Sequence, residues 1–561
     1  MFYRPALRRA CLTTLSLWLL IFLPGWAAAA EPSPAWRGFF PPVQEQGELK
    51  ITLHPQDKAI GRVVVVSFGV PFPPGYLKDP RKLAVLDNLG KEMPLATKVL
   101  ARWLPPTPGA GSIRAVLVQF RDYLSSPVAR TYTLRWGRER KLNEKRLFRP
   151  RSGWQPVKDG SYPPGVVMEP PVYVTLPPAW LGKCLLKGRI LPARKNSPYA
   201  WYDQAMGRFF LTAANLSQPP VQAKYRIDYA RKYEPWLFDR AMTFFITYIR
   251  LGGLEHLRQA HRAAQYYASL IGPDGTFRLL TGKYTRDMKY GYQECLALDY
   301  WLTGDEKMRE TSARVTKLFD SWDPHYSVGK GFWTERHLAF LLLNATVAYE
   351  ISGDPKYLAK AKDTFNAAWR LQNAPPSGVP RGSGCMLHRG RQHAEKVKGW
   401  LCSPWMSVLM VDAMMRYYLV TADSRVPRSI QELAGFIARY GLYKVVYNKK
   451  QKAPWITPHY LAGPDPLKYY HTKQWTDPQH ALDVSSIFAA AIYLAGKEGR
   501  PQEPYRQVFR QLQATARFDL KRTFNRYGPK FGKPQYPLNP PRKFNWWFRT
   551  TASIDWLVQQ K

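Results

Sequence analysis

The sequence predicts a multidomain β + α chain: an N-terminal β-barrel or sandwich followed by an α/α toroid of five to six helix pairs. Three observations predict it. Residues 48–136 fall into short β-rich runs separated by turn residues. From residue 226 onward a helical rhythm returns about every 50 residues. Within that rhythm, helices apolar all round alternate with helices carrying a single apolar stripe.

The chain of 561 residues opens with Arg8 and Arg9, the apolar run CLTTLSLWLLIFLPGW and the small-residue stretch AAAAE. That order of charge, apolar core and small residues predicts a signal peptide over residues 1–30, cleaved near Ala29 or Ala30. An uncleaved N-terminal anchor is the alternative, since the apolar run approaches the roughly 20 residues of a membrane span. No later segment is apolar for long enough to span a bilayer, so a periplasmic or secreted protein is expected. Residues 31–47 read as a linker.

The runs GELKITLH, RVVVVSFGV, IRAVLVQF and RTYTLRW lie in residues 48–136, with Pro, Gly and Asn between them, and WLPPTPGAGS can only be a loop. Residues 137–225 form a basic, Pro-rich connector in which VYVTLPPAWL could add one more strand.

The toroid is expected over residues 226–520, followed by a C-terminal extension, 521–561. Tyr248, Tyr300, Tyr349 and Tyr418 each stand four positions before a small residue: Gly252, Gly304, Gly353 and Ala422. A small residue suits a helix C-terminus, where the next residue takes left-handed φ and ψ. YLAG (493–496) is a looser fifth copy. A sixth pair could come from YAWYDQAMGRFFLTAANLS or from the C-terminal region. The later turns are further apart because two irregular segments, 372–404 and 446–482, are inserted; segments this long are usually functional or disordered.

The inner helices of a toroid run the same way, so residues just before each one should meet at one mouth. Those residues are YEPWLFDR (233–240), YTRDMKYGYQE (284–294), WTERH (333–337), the 381–405 insertion and YYHTKQWTDPQH (469–480). All are dense in rings, cations and carboxylates. Rings suit the apolar faces of sugars. The formal charge of +41 favours polyanions. With no zinc-finger, RNP or KH signature and with export expected, nucleic acid is excluded as a partner. Acidic polysaccharide is the expected one; a generally basic surface without a specific partner is the alternative.

A uronate-containing polymer can be cut by β-elimination, which needs a neutralised carboxylate, a base and an acid. The candidates for base and acid are Tyr290, Tyr292, His337 and His388. Lys289, Arg336, Arg389 and Arg391 are the candidates for the carboxylate. Trp236, Trp333 and Trp475 would contact sugar, and Glu234, Asp239, Glu294 and Glu335 are further rim residues. With Asp287 these carboxylates leave hydrolysis open, since it needs two facing carboxyl groups. A non-catalytic binding protein of an exopolysaccharide pathway is a third reading.

No cofactor is expected. Calcium bridging a uronate to rim carboxylates stays open, although no Asp-rich loop announces it. Cys385, His388, His393 and Cys402 follow a C-x2-H-x4-H-x8-C pattern that matches no common zinc spacing. In an oxidising compartment a Cys385–Cys402 disulfide is the more natural reading.

SFGVPFPPGYL, LAVLDNLGKEMPLATKVLARW and GSIRAVLVQF, in that order, resemble the N-terminal RIFT-type β-barrel module of the exo-rhamnogalacturonan lyase family. EPWLFDR, KYGYQE, WTERH and PWMSVLMVDAMMRYY resemble segments of bacterial proteins that join such a barrel to an α/α toroid. The resemblance implies a polysaccharide lyase-like scaffold. No catalytic residue is carried over from it, and rhamnogalacturonan is not implied as substrate.

Overall fold

The computed structural model describes residues 32–157, 167–214, 234, 236–393, 397–446, 454–464, 477–527 and 542–560. The expected export segment and Trp475 lie outside the described residues. The chain is rich in helix, with small sheets, and Ser33–Lys561 form one compact unit. No helix among the described residues is long and apolar enough to cross a membrane.

The N-terminal part contains strands β1 (Gly47–Pro55), β2 (Arg62–Pro71), β3 (Leu83–Leu86), β4 (Ala96–Arg102), β5 (Ile113–Leu124) and β6 (Arg130–Trp136). A small hairpin of β7 (Gln155–Val157) and β8 (Val167–Glu169) follows, and then β9 (Val172–Thr175). These strands make two antiparallel sheets, β3-β6-β1-β9 and β2-β5-β4. Pairing among the described residues does not close them into one ring. The connector therefore supplies an edge strand, VYVT, that pairs with β1.

In β1 burial alternates, with Leu49, Ile51 and Leu53 turned inward, as a sheet with one wet face requires. Strand β5 departs from that pattern and is buried continuously from Ile113 to Phe120. Its second face is covered by helices.

Those helices form five sequential hairpins: α2 (Arg240–Leu251) with α3 (Leu254–Ser269), α4 (Gln293–Thr303) with α5 (Glu306–Val315), and α6 (Glu335–Ser352) with α7 (Pro355–Asn373). Then come α8 (Pro404–Thr421) with α9 (Arg425–Tyr440), and α10 (Ala481–Lys497) with α11 (Glu503–Tyr527). The first helix of each pair is buried nearly throughout, whereas α7 buries one stripe that includes Ala361, Phe365 and Ala368.

Each repeated tyrosine has a backbone role. The N–H groups of Gly252, Gly304, Gly353 and Ala422 donate to the carbonyls of Tyr248, Tyr300, Tyr349 and Tyr418 at 2.8, 2.7, 2.7 and 2.9 Å. All four residues have positive φ, the left-handed cap that closes a helix with one bond. The looser fifth copy does not form this turn: α10 runs through Gly496 to Lys497.

The ring closes through the C-terminus. Contacts run from α2 to α4, α6, α8 and α10, then to α12 (Lys543–Phe548), and from α12 back to α2. The helix outside α12 is α1 (Ala200–Ala214), which also packs on α2. The sixth pair thus joins both stretches between which the sequence left the choice open. Residues 542–560, expected as an extension, complete the ring, and α13 (Ile554–Gln559) packs on α10.

The turn ends of the inner helices rest on the sheets. At Gly69 in β2 an added Cβ would lie 2.0 Å from the Trp301 carbonyl oxygen, so only glycine lets strand and helix meet there. The opposite, N-terminal ends of the inner helices therefore point away from the sheets.

Candidate functional site at the N-terminal ends of the inner helices

The axis of the ring is filled by charge. Lys187 Nζ lies 2.8 Å from Glu294 Oε2 and 2.8 Å from Asp412 Oδ2. Arg549 binds the same pair at 2.7 and 2.6 Å. Arg416 joins Glu350 at 2.6 Å and approaches Glu294 at 3.5 Å, and Arg114 reaches the other Glu350 oxygen at 2.6 Å. Side chains of α4, α6 and α8 and the residue after α12 meet in this network. A cavity of about 60 Å³ remains beside Lys187, Asp412 and Arg416. Burying so many charges costs desolvation, and the alternation of signs with short hydrogen bonds offsets it.

Above this plug, residues from four helix starts bring rings together. Phe238 packs on Trp405 (5.7 Å between centroids), Trp405 on His480 (5.3 Å), His480 on Trp546 (5.2 Å) and Trp546 on Phe238 (5.7 Å). Tyr460 from the second insertion adds to Trp405 at 5.7 Å, and Arg336 stands over the same indole at 5.9 Å. Sequence reading selected none of Phe238, Trp405, His480 and Trp546. Three lie in or beside segments it had marked; Trp546 lies in the stretch it set aside as an extension.

Most of the predicted rim residues converge here, but many as wall rather than lining. Asp239 is 1 % exposed, caps α2 by accepting the Met242 N–H at 3.0 Å, and so is not presented to a ligand. Its carboxyl is raised to about 6 by burial, with Arg549 opposing and Glu294 adding to the rise. Glu294 belongs to the axial network. Trp236 and Trp333 are buried; Trp236 packs on Tyr266 and Trp333 on Tyr326. The Tyr292 hydroxyl accepts the Phe238 N–H at 2.8 Å and donates to the Lys289 carbonyl at 2.6 Å, so both of its capacities serve the backbone.

His337 is buried, with Nδ1 2.6 Å from Thr334 Oγ1 and Nε2 2.7 Å from Asp287 Oδ1. Burial lowers its pKa, partly offset by Asp287. Lys289 holds the other Asp287 oxygen at 2.8 Å. Burial works to raise Asp287, but the bond to His337 and the charges around it hold it below the usual carboxylate range.

Tyr290 differs from these. Its hydroxyl makes no hydrogen bond among the described residues. Burial raises its pKa, Glu234 and Asp287 add to the rise, and Arg336 and Arg542 oppose it. Five charged or polar groups from three helix starts and the C-terminal segment thus act on one another. Arg336, Arg389 and Arg391 form no ion pair with a carboxylate among the described residues; Arg389 stacks on Trp400 at 4.4 Å, and Arg391 is exposed.

The first insertion is built into the wall. His388–Arg389 pair with Trp400–Leu401 as a short antiparallel ribbon, and Cys385 and Cys402 form a disulfide. The second insertion joins it: Cys402 and Ala462 exchange backbone hydrogen bonds of 2.8 and 2.9 Å, and Ser403 Oγ donates to the Tyr460 carbonyl at 2.8 Å. His388 is wholly buried, and burial takes its pKa down to about 3. Nearby Glu335, also wholly buried, is raised by burial, with His393 and the Ser403 N–H opposing. Glu335, His388 and His393 are the residues whose geometry could hold a metal.

No family model matches the chain, and no curated protein sequence matches it. Solved structures with remote similarity include an unsaturated glucuronyl hydrolase specific for heparin (12 % identity, TM-score 0.41, covering 64 % of this chain and 97 % of that one). A polysaccharide lyase follows at 13 % identity and TM-score 0.39, covering 65 % and 99 %. A glycoside hydrolase of family 105 from C. acetobutylicum has 11 % identity and TM-score 0.36, covering 63 % and 99 %. Similarity at this level carries no argument about the chemistry of the present chain.

Proposed function

We propose that this is an exported carbohydrate-active protein that binds an acidic, uronate-containing polysaccharide at the ring mouth and cleaves it by β-elimination. The observation that carries the reading is Tyr290. Of the four groups expected to move protons, it alone has a polar atom not already engaged or wholly enclosed. A raised pKa keeps its proton at neutral pH, as a group that protonates a departing glycosidic oxygen requires. Arg336, beside it and without a carboxylate partner among the described residues, suits the uronate carboxylate, whose neutralisation makes the neighbouring C–H acidic enough to lose its proton. The rings of Trp405 and Trp546 supply apolar surface for a sugar face.

Hydrolysis is the second reading, favoured by Glu234 and Asp287. These two rim carboxylates keep some exposure, and both act on Tyr290. Incubation with a panel of uronate polymers separates the readings. Ultraviolet absorbance of an unsaturated uronide, abolished by Tyr290→Phe, supports elimination. New reducing ends without that absorbance overturn elimination in favour of hydrolysis. Retention of the polymer with neither product leaves a binding protein.

A further inference from the structure

Glu335 at the start of α6 and His388 and His393 in the first insertion each place one donor atom within 4.8 Å of the others, and all three side chains are buried. We propose that they bind a divalent transition-metal cation of the zinc class, which fastens the insertion to helix α6. Two imidazoles and one carboxylate are a donor set for such a cation. The proposal is independent of the reaction assigned to the mouth.

The orientation of the ligands supports it. His388 Nδ1 faces the Met386 carbonyl at 3.3 Å, so an N–H donated there leaves the Nε2 lone pair outward. That nitrogen points at Glu335 Oε2 across 3.7 Å, too far for a hydrogen bond. Neither atom has a hydrogen-bond partner among the described residues, although both side chains are wholly enclosed. The other Glu335 oxygen accepts the Ser403 N–H. Each of these two ligands thus has one polar atom tied by the protein and one aimed at a common point, the usual support for a metal-bound histidine or carboxylate. Ligands about 2.0–2.1 Å from a tetrahedral ion stand roughly 3.3 Å apart, close to the 3.7 Å found here. Three protein donors leave the fourth position to water.

The C-x2-H-x4-H-x8-C spacing hid this set. Its two cysteines bond to each other, and the third ligand, Glu335, comes from a different segment of the chain. The disulfide and the metal would then fix the same loop from two sides.

The test uses the full mature chain, loaded with Zn²⁺, passed through metal-free buffer and analysed by mass spectrometry for metal per chain. The expected result is about one zinc per chain, reduced at least tenfold in His393→Gln and in Glu335→Gln and unchanged in a control, His325→Gln. Removal by a chelator should lower the melting temperature, and added Zn²⁺ should restore it. Replacement by Co²⁺ should give the visible absorption of a four-coordinate site. Wild-type protein that retains no more metal than His393→Gln overturns the proposal and leaves a water among the three side chains. If the variants do not fold, the wild-type metal content and Co²⁺ spectrum decide, and their absence overturns it equally.

Discussion

Arg549 Nη2 lies 2.7 Å from Glu294 Oε2, joining the C-terminal segment to the first turn of α4 at the centre of the ring. Both side chains are buried, and Glu294 also meets Lys187. Arg549→Met removes one cation from a network balanced in pairs and leaves buried carboxylates short of a partner. The expected loss is about 3–5 kcal/mol in urea unfolding. A loss below about 1 kcal/mol would mean that the ring does not depend on its C-terminal closure.

Asp239 predicts a pH dependence opposite to that of most carboxylates. Its pKa in the folded chain, about 6, lies above the ordinary 3.8. Between those values the folded state binds the proton and the unfolded state does not, so the stability this group supports below pH 4 is lost as pH rises through 6. The facing groups are Arg549, Glu294 and Cys295. Asp239→Asn keeps a capping side chain that tolerates left-handed φ and removes the titration. It should match wild type near pH 4 and exceed it by about 1–3 kcal/mol at pH 7. Unfolding at a series of pH values checks the sign.

Tyr290 and Tyr292 stand two residues apart and should behave differently. Tyr290→Phe is expected to abolish turnover with little change in melting temperature. Tyr292→Phe leaves the Phe238 N–H and Lys289 carbonyl without their partner and should cost about 1–3 kcal/mol of stability. Paired thermal melts and product assays distinguish them.

Arg336→Gln should weaken retention of polygalacturonate by about 10- to 100-fold, the loss of a charge-assisted hydrogen bond of about 1.5–3 kcal/mol. The remaining binding should be less sensitive to salt. An affinity titration at two ionic strengths checks both.

The Cys385–Cys402 bridge, with a sequence separation of 17, closes a short loop in the wall. The double variant Cys385→Ala/Cys402→Ala should lose about 3 kcal/mol by loop entropy. Wild type under reductant should melt like that variant.

Periodicity and capping signals reach only about as far as one element and its neighbours, so they read the β runs of residues 48–136, the alternation of buried and striped helices and the Tyr-to-Gly turns. All of these follow from local backbone geometry and from which faces must leave water. The same reading placed YEPWLFDR, KYGYQE, WTERH and the 381–405 insertion at one end of the ring, because a repeat carries its phase with it. Which side chains line that mouth and which lie behind it depends on packing between repeats. Tyr290 and Tyr292 look alike in sequence, yet one hydroxyl is engaged by the Phe238 and Lys289 backbone and the other is not. Closure of the ring by residues 542–560 beside α1, the meeting of Glu335 with His388 and His393, and the Phe238–Trp405–His480–Trp546 cluster all join residues far apart in the chain. Only the tertiary structure decided these, because the free energy that selects them comes from burying surfaces and charges against partners that no local pattern specifies.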